Sequence, residues 1–161
     1  MKTEFSQENT FPQDFNAELS DKVAAQSEVF SDEGNEYFDE EEYDKAITVW
    51  KQALALIPNP QHTFLESFWL ESAIGDAYFM LEKNKEALPH FLNAKSNIKE
   101  NAHENAFIML RLGQMYFEAN EFENAKEYLL LAYTLDGEEI FQGSKEKYLE
   151  FLKENKDLSE I

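Results

Sequence analysis

His62, His90 and His103 are the residues best suited by type to acid–base or metal chemistry. A zinc site pairs its ligands a few residues apart. These three are scattered, which reads as surface or helix-junction histidines. Cysteine is absent, so a thiolate metal site, a cysteine nucleophile and a disulfide scaffold are excluded. The acidic stretches Asp32-Glu33 and Asp39-Glu40-Glu41-Glu42 lack the alternating ligands and distant glutamate of a calcium loop. They read as solvated helix ends. No phosphate loop, nucleophile elbow or histidine–carboxylate spacing is present. Carboxylate pairs carry no information in a chain with 33 acids. The chain therefore reads as no enzyme, with no cofactor, no metal and no small-molecule substrate.

The charge balance bears on partners. Thirty-three acids stand against 14 bases, for a formal charge of −19, and the sole arginine is Arg111. A nucleic-acid binder needs a basic face to displace counterions, and an anionic membrane would repel this chain. The partner that fits is a basic protein surface, reached through electrostatic steering; acidity that serves solubility alone is the bland reading. Hydrophobic residues make up 43% and aromatics 14%, enough for an ordered core. No stretch approaches the ~18 apolar residues of a membrane span. The opening residues lack the apolar run of a secretory signal. A soluble, cytoplasmic protein is expected.

A repeat supplies the elements that would position any site. Gly34, Tyr37, Phe38, Ala46, Trp50 and Ala53 recur at the same spacing as Gly75, Tyr78, Phe79, Ala87, Phe91 and Ala94, and as Gly113, Tyr116, Phe117, Ala125, Leu129 and Ala132. Each window holds two amphipathic helices. The glycines and alanines stand where those helices must approach closely, and the tyrosines fill the gap between them. One such pair cannot bury its apolar face alone, so pairs must stack and the ends need caps.

This pattern resembles the tetratricopeptide repeat, and the first window, with Tyr43, Ala46, Trp50, Ala53 and Pro58, fits it best. The resemblance implies an all-α fold: a superhelical stack of helical hairpins with a concave groove. It assigns an N-terminal polar segment and helix to 1–26 and three repeats to 27–137, at about 27–60, 61–100 and 101–137. A capping helix follows at 138–161. The glycines are 41 and 38 residues apart rather than the family's 34. These excesses are close to whole helical turns, so elongated helices are expected. The turn inside each repeat usually has glycine; Glu41, Glu82 and Asn120 stand there, and glutamate accepts the left-handed conformation poorly. Pro89 is expected in the first turn of its helix, where it is tolerated.

In the family the first helix of each repeat lines the groove. Carried over by position, the groove residues are Glu28, Ser31, Asn35, Phe38 and Asp39; Trp69, Ser72, Asp76, Phe79 and Met80; and Phe107, Leu110, Gln114, Phe117 and Glu118. The lysines and arginine of the family's clamp for acidic chaperone tails are missing from these places. What stands there is a ladder of Phe38, Phe79 and Phe117, joined by Trp69 and Phe107 and edged by Asp39, Asp76 and Glu118. Aromatic anchors with an acidic rim suit a basic, partly apolar partner; the competing reading has these rings packing between repeats. The expected function is a non-catalytic protein-binding module. The last segments, Gly137-Glu138-Glu139-Ile140-Phe141 and Lys147-Tyr148-Leu149-Glu150-Phe151-Leu152-Lys153, are similar to the ends of small acidic tetratricopeptide immunity proteins encoded beside bacterial toxins. That resemblance implies a protein that neutralises a cognate toxin. The alternative is an adaptor or co-chaperone that binds short peptide segments of a larger assembly.

Overall fold

The computed structural model describes residues 17–97 and 105–159. Among them are seven α-helices and no strand, and no helix is long and apolar enough to cross a membrane. The chain divides into two compact units, Met1–Lys99 and Glu100–Ile161.

The first unit holds α1 (Asp21–Asp39), α2 (Tyr43–Leu56), α3 (Leu65–Met80) and α4 (Asn84–Asn97). Helix α1 starts where the Ser20 hydroxyl accepts from the Val23 N–H, as an N-cap should. It then runs without a break through the boundary expected at residue 26. Helices α1 and α2 form one hairpin, α3 and α4 a second, and α2 packs on α3. Helix α3 is buried on every side: from Ser67 to Ala77 only Trp69 escapes full burial, and the sealed residues include Glu71 and Asp76. The extra length between the first two repeats is shared. Part extends the start of α3, which has 16 residues; part forms an ordered connector with a short 3₁₀ turn, Gln61–Thr63. The Gln61 amide donates to the Leu54 and Ile57 carbonyls at 2.9 and 3.0 Å, closing the end of α2. The corresponding stretch before the third repeat lies outside the described residues.

The second unit holds α5 (Ala106–Glu118), α6 (Phe122–Asp136) and α7 (Glu146–Asn155). The Asn105 side chain accepts from the Ile108 N–H at 2.9 Å and starts α5. Gly137, at φ 68°, ends α6. A 3₁₀ segment, Gly137–Phe141, then brings Phe141 into the core before α7 packs on α6. The expected cap is therefore a two-part structure.

Small-to-large pairing holds each hairpin together. A Cβ at Gly34 would lie 2.3 Å from Trp50 Nε1, one at Gly75 2.9 Å from Phe91 Cε2, and one at Gly113 2.6 Å from Leu129 Cδ2. Ala46, Ala53, Ala87, Ala94, Ala125 and Ala132 are all sealed from solvent. The tyrosines meet the second helix of their own hairpin: Tyr78 stacks on His90 and Tyr116 on Tyr128, and the Lys45 ammonium lies over Tyr37. Pro89 departs from expectation. Bonding from the Ala87 N–H to the Lys83 carbonyl starts α4 early enough to place Pro89 in its interior, where its ring displaces a backbone bond to Lys85.

All three hairpin turns are built alike. Glu41, Glu82 and Asn120 take φ of 62°, 58° and 61°. The N–H after each reaches back across the turn, Glu42 to Tyr37, Lys83 to Tyr78 and Glu121 to Tyr116, at 2.8 to 2.9 Å. This is the Schellman closure that glycine normally serves; the paired backbone bonds hold two glutamates in a conformation they disfavour. Relief should exceed the entropy that glycine adds to the unfolded chain. Glu41→Gly and Glu82→Gly are each expected to raise unfolding free energy by about 1 kcal/mol, and Asn120→Gly by less, since asparagine tolerates this region. Urea unfolding of the three variants tests this; a loss of stability at either glutamate would refute it.

Candidate partner-binding surfaces

The positions singled out for a partner fall into two groups by burial. In the first unit, Asn35, Phe38 and Asp39 ride on α1, and Trp69, Ser72, Asp76 and Phe79 on α3. Phe38 is half-buried, edge-on to Tyr43 at 5.1 Å and 5.8 Å from Trp50, so much of it serves its own hairpin. Trp69 sits edge-on to Phe68 and is half-buried, as is Phe79. Ser72 and Asp76 are buried and offer no surface. Burial pushes the Tyr43 hydroxyl up, and the carboxylates of Glu41 and Asp76 push it the same way. Of the groove positions carried over to this unit, the apolar side chain that opens outward is Met80, 46% exposed.

In the second unit the sole arginine organises the inner face. Arg111 is buried, donates to Gln114 Oε1 at 2.9 Å and lies 4.8 Å from the centre of the Phe107 ring. Gln114 and Leu110 are buried with it. A guanidinium between an amide and a ring face is well satisfied inside a fold, so these residues serve the interior. Phe117 stands in an aromatic cluster: Phe151 lies at 5.1 Å, Tyr148 at 5.3 Å and Phe122 at 5.6 Å. The cluster fastens α7 to the hairpin. Phe122, at the first position of α6, is 45% exposed and turns the cluster outward between the exposed carboxylates of Glu121 and Glu123.

Phe38, Phe79 and Phe117 thus hold equivalent places, the last turn of a first helix, where each carbonyl accepts the N–H of a left-handed turn residue. Phe117 belongs to a different unit from the other two.

Residues 108–139 match the family model of the tetratricopeptide repeat. The interval runs from the third residue of α5 through α6 into the 3₁₀ segment, and it supports a chain of the tetratricopeptide type. Tetratricopeptide repeats typically mediate binding to other proteins and are typically not catalytic. No curated protein matches the chain. Among the described residues no group of three histidines or acids is placed to hold a metal ion.

One tetratricopeptide-register position was not visible as a site residue in sequence. Phe122 falls nine residues after its glycine, where the other hairpins have Tyr43 and Asn84; nothing in its spacing marks it as exposed. Glu118, assigned to the rim, is instead engaged by α7, accepting from the Lys147 ammonium and, at 2.6 Å, from the Tyr148 hydroxyl. Burial pushes the Glu118 carboxyl up, but these hydrogen bonds outweigh it and hold it below its ordinary value of 4.5. The unfolded chain then takes up this proton more readily than the folded one. The stabilisation is full above that ordinary value and is lost as pH falls through the folded one. Glu118→Gln is expected to cost stability at neutral pH, with the gap to wild type closing below about pH 4. Thermal melts across pH 3 to 7 (roughly the carboxyl range) decide this; a gap that stays constant would refute it.

Proposed function

We propose that this chain neutralises a basic protein, a cognate bacterial toxin domain, by covering it with an acidic, aromatic-studded surface. The observation that carries the reading is the open aromatic corner of the second unit: Phe122 exposed over Phe117 and Phe151, with Glu121 and Glu123 beside it, in a chain of charge −19. Desolvated aromatics supply the grip of an interface and a charged rim supplies speed and selectivity. A toxin that acts on nucleic acid or nucleotides carries a basic cleft, and an acidic surface competes for the same charges. Phe38, Trp69 and Phe79, each partly open, give the first unit anchors of the same kind. The adaptor reading draws on the repeat alone.

The test is co-expression with the product of the neighbouring gene. That product alone should be toxic, and this chain should rescue growth and co-purify with it as one stoichiometric partner. A harmless product, or equal death with and without this chain, sinks the toxin reading; a mixture of weak partners favours the adaptor. For the complex itself, Phe122→Ala is expected to weaken binding by about 2 kcal/mol with helix content unchanged. Association should slow as salt rises from low to physiological strength, where the screening length is ~8 Å, while dissociation changes little. An association rate indifferent to salt would remove the basic partner.

A further inference from the structure

A polar cleft of about 440 Å³ opens in the first unit, between α3, α4 and the Gln61–Thr63 connector. Its wall holds a carboxylate that is 7% exposed, Glu71, with Ser67 and Asn97, also buried. Glu71 Oε2 is taken by His90 Nδ1 at 2.7 Å. Among the described residues, Glu71 Oε1 has only a long contact from the Asn93 amide, 3.4 Å, beyond the range of a strong N–H···O bond. Asn97 Nδ2 donates to Ser67 Oγ at 3.3 Å.

The repeat register makes this polarity specific to the second hairpin. Counting from the glycine, Glu71 corresponds to Phe30 and Met109, Asn97 to Leu56 and Leu135, and Asn93 to Gln52 and Leu131. The sister hairpins fold with apolar residues at the first two of these places, so packing does not call for a carboxylate here. A buried charge is costly unless it is well paired, and one oxygen of this carboxylate is held weakly.

We propose that the cleft binds a guanidinium group, the side chain of an arginine on the basic partner, with Glu71 Oε1 as its counter-ion. The inference rests on the basic-partner reading above and names one contact within it. The negative carboxylate excludes an anion. A calcium or magnesium ion asks for a larger set of hard oxygen ligands than one carboxylate supplies. Between the two basic side chains, guanidinium is the more weakly hydrated and presents a planar fan of donors. It therefore suits a mostly buried carboxylate in a cleft also lined by the Ser67 hydroxyl oxygen, which an ammonium would serve less fully. Free guanidines share this chemistry, and the probes below separate the two sources.

The experiment titrates the isotope-labelled chain, at physiological salt, with N-acetyl-arginine methylamide, its lysine counterpart and agmatine. The arginine probe is expected to shift amides around Ser67, Glu71, Asn93 and Asn97, and to bind about ten-fold or more weakly after Glu71→Gln. Glu71→Met, which installs the residue type of the third hairpin, should keep the fold by circular dichroism and lose the focused response, so a lost signal is not unfolding. Shifts spread over the acidic surface, equal binding by Glu71→Gln, or equal binding of the lysine probe would each overturn the proposal. So would agmatine binding much more tightly than the arginine probe, which would assign the cleft to a free guanidine. Failure to neutralise a toxin would leave these titrations unchanged, and a diffuse titration would leave the acidic-surface reading standing.

Discussion

Trp50→Ala is expected to lower unfolding free energy by about 4 kcal/mol, the upper part of the range for truncating a fully buried aromatic. Trp50 is 1% exposed. Its indole fills the space that Gly34 leaves open and lies 5.8 Å from the Phe38 ring. Its Nε1–H donates to the Ser31 carbonyl of α1 at 3.2 Å. Truncation removes the packing of α2 against α1 and this bond together. The cavity cannot collapse readily, because Gly34 has no side chain to move into it. Urea unfolding followed by circular dichroism measures the loss. A change below about 2 kcal/mol would mean that the first hairpin repacks around the hole.

The reciprocal change, filling the small side of each pair, should rank the three hairpins. An added methyl opposes the gain of about 1 kcal/mol that alanine brings to a helix interior. At Gly34 it would meet three indole atoms within 2.7 Å, on a ring held in place by its bond to Ser31. Gly34→Ala is expected to cost about 3 kcal/mol, the top of the overpacking range. At Gly113 the nearest atoms are the mobile end of Leu129, at 2.6 Å, but the Leu129 backbone nitrogen follows at 3.0 Å, and about 2 kcal/mol is expected. At Gly75 the Phe91 ring edge lies at 2.9 to 3.1 Å and needs to give by a few tenths of an ångström. Overpacking and helix propensity there should cancel to within about 1 kcal/mol. The same unfolding measurement applied to the three variants gives the order, and a cost at Gly75 equal to that at Gly34 would refute the steric ranking.

The pairs that dominate these two predictions were the part of the fold most legible in the sequence. A glycine followed sixteen residues later by Trp50, Phe91 or Leu129 is a local rule, since both partners belong to one hairpin and the turn between them has constant length. The all-α class and the hairpins follow from it. Less was legible wherever burial depends on more than the pairing of a glycine with its large partner. The register put Ser72, Asp76, Leu110 and Gln114 on the face a partner would use, yet all four are buried; position along a helix gives a direction, not what lies in that direction. Glu118 and Phe117 looked like rim and anchor, and α7 takes up both through Tyr148 and Phe151. Local preference misled in the opposite sense at Glu41 and Glu82. The turn's backbone bonds outweigh the reluctance of glutamate, and both residues adopt the conformation that the register demands.

The burial of Arg111 has an enzymological consequence. Because it is the only arginine in the chain, an endoprotease that cuts after arginine has a single target bond, Arg111–Leu112, and that bond lies within α5 with both flanking side chains sealed from solvent. A protease must draw a stretch of chain out of the helix to reach such a bond. Its cleavage rate therefore reports how often α5 opens, with one pair of fragments and no competing site, so the protein carries its own gauge of local opening.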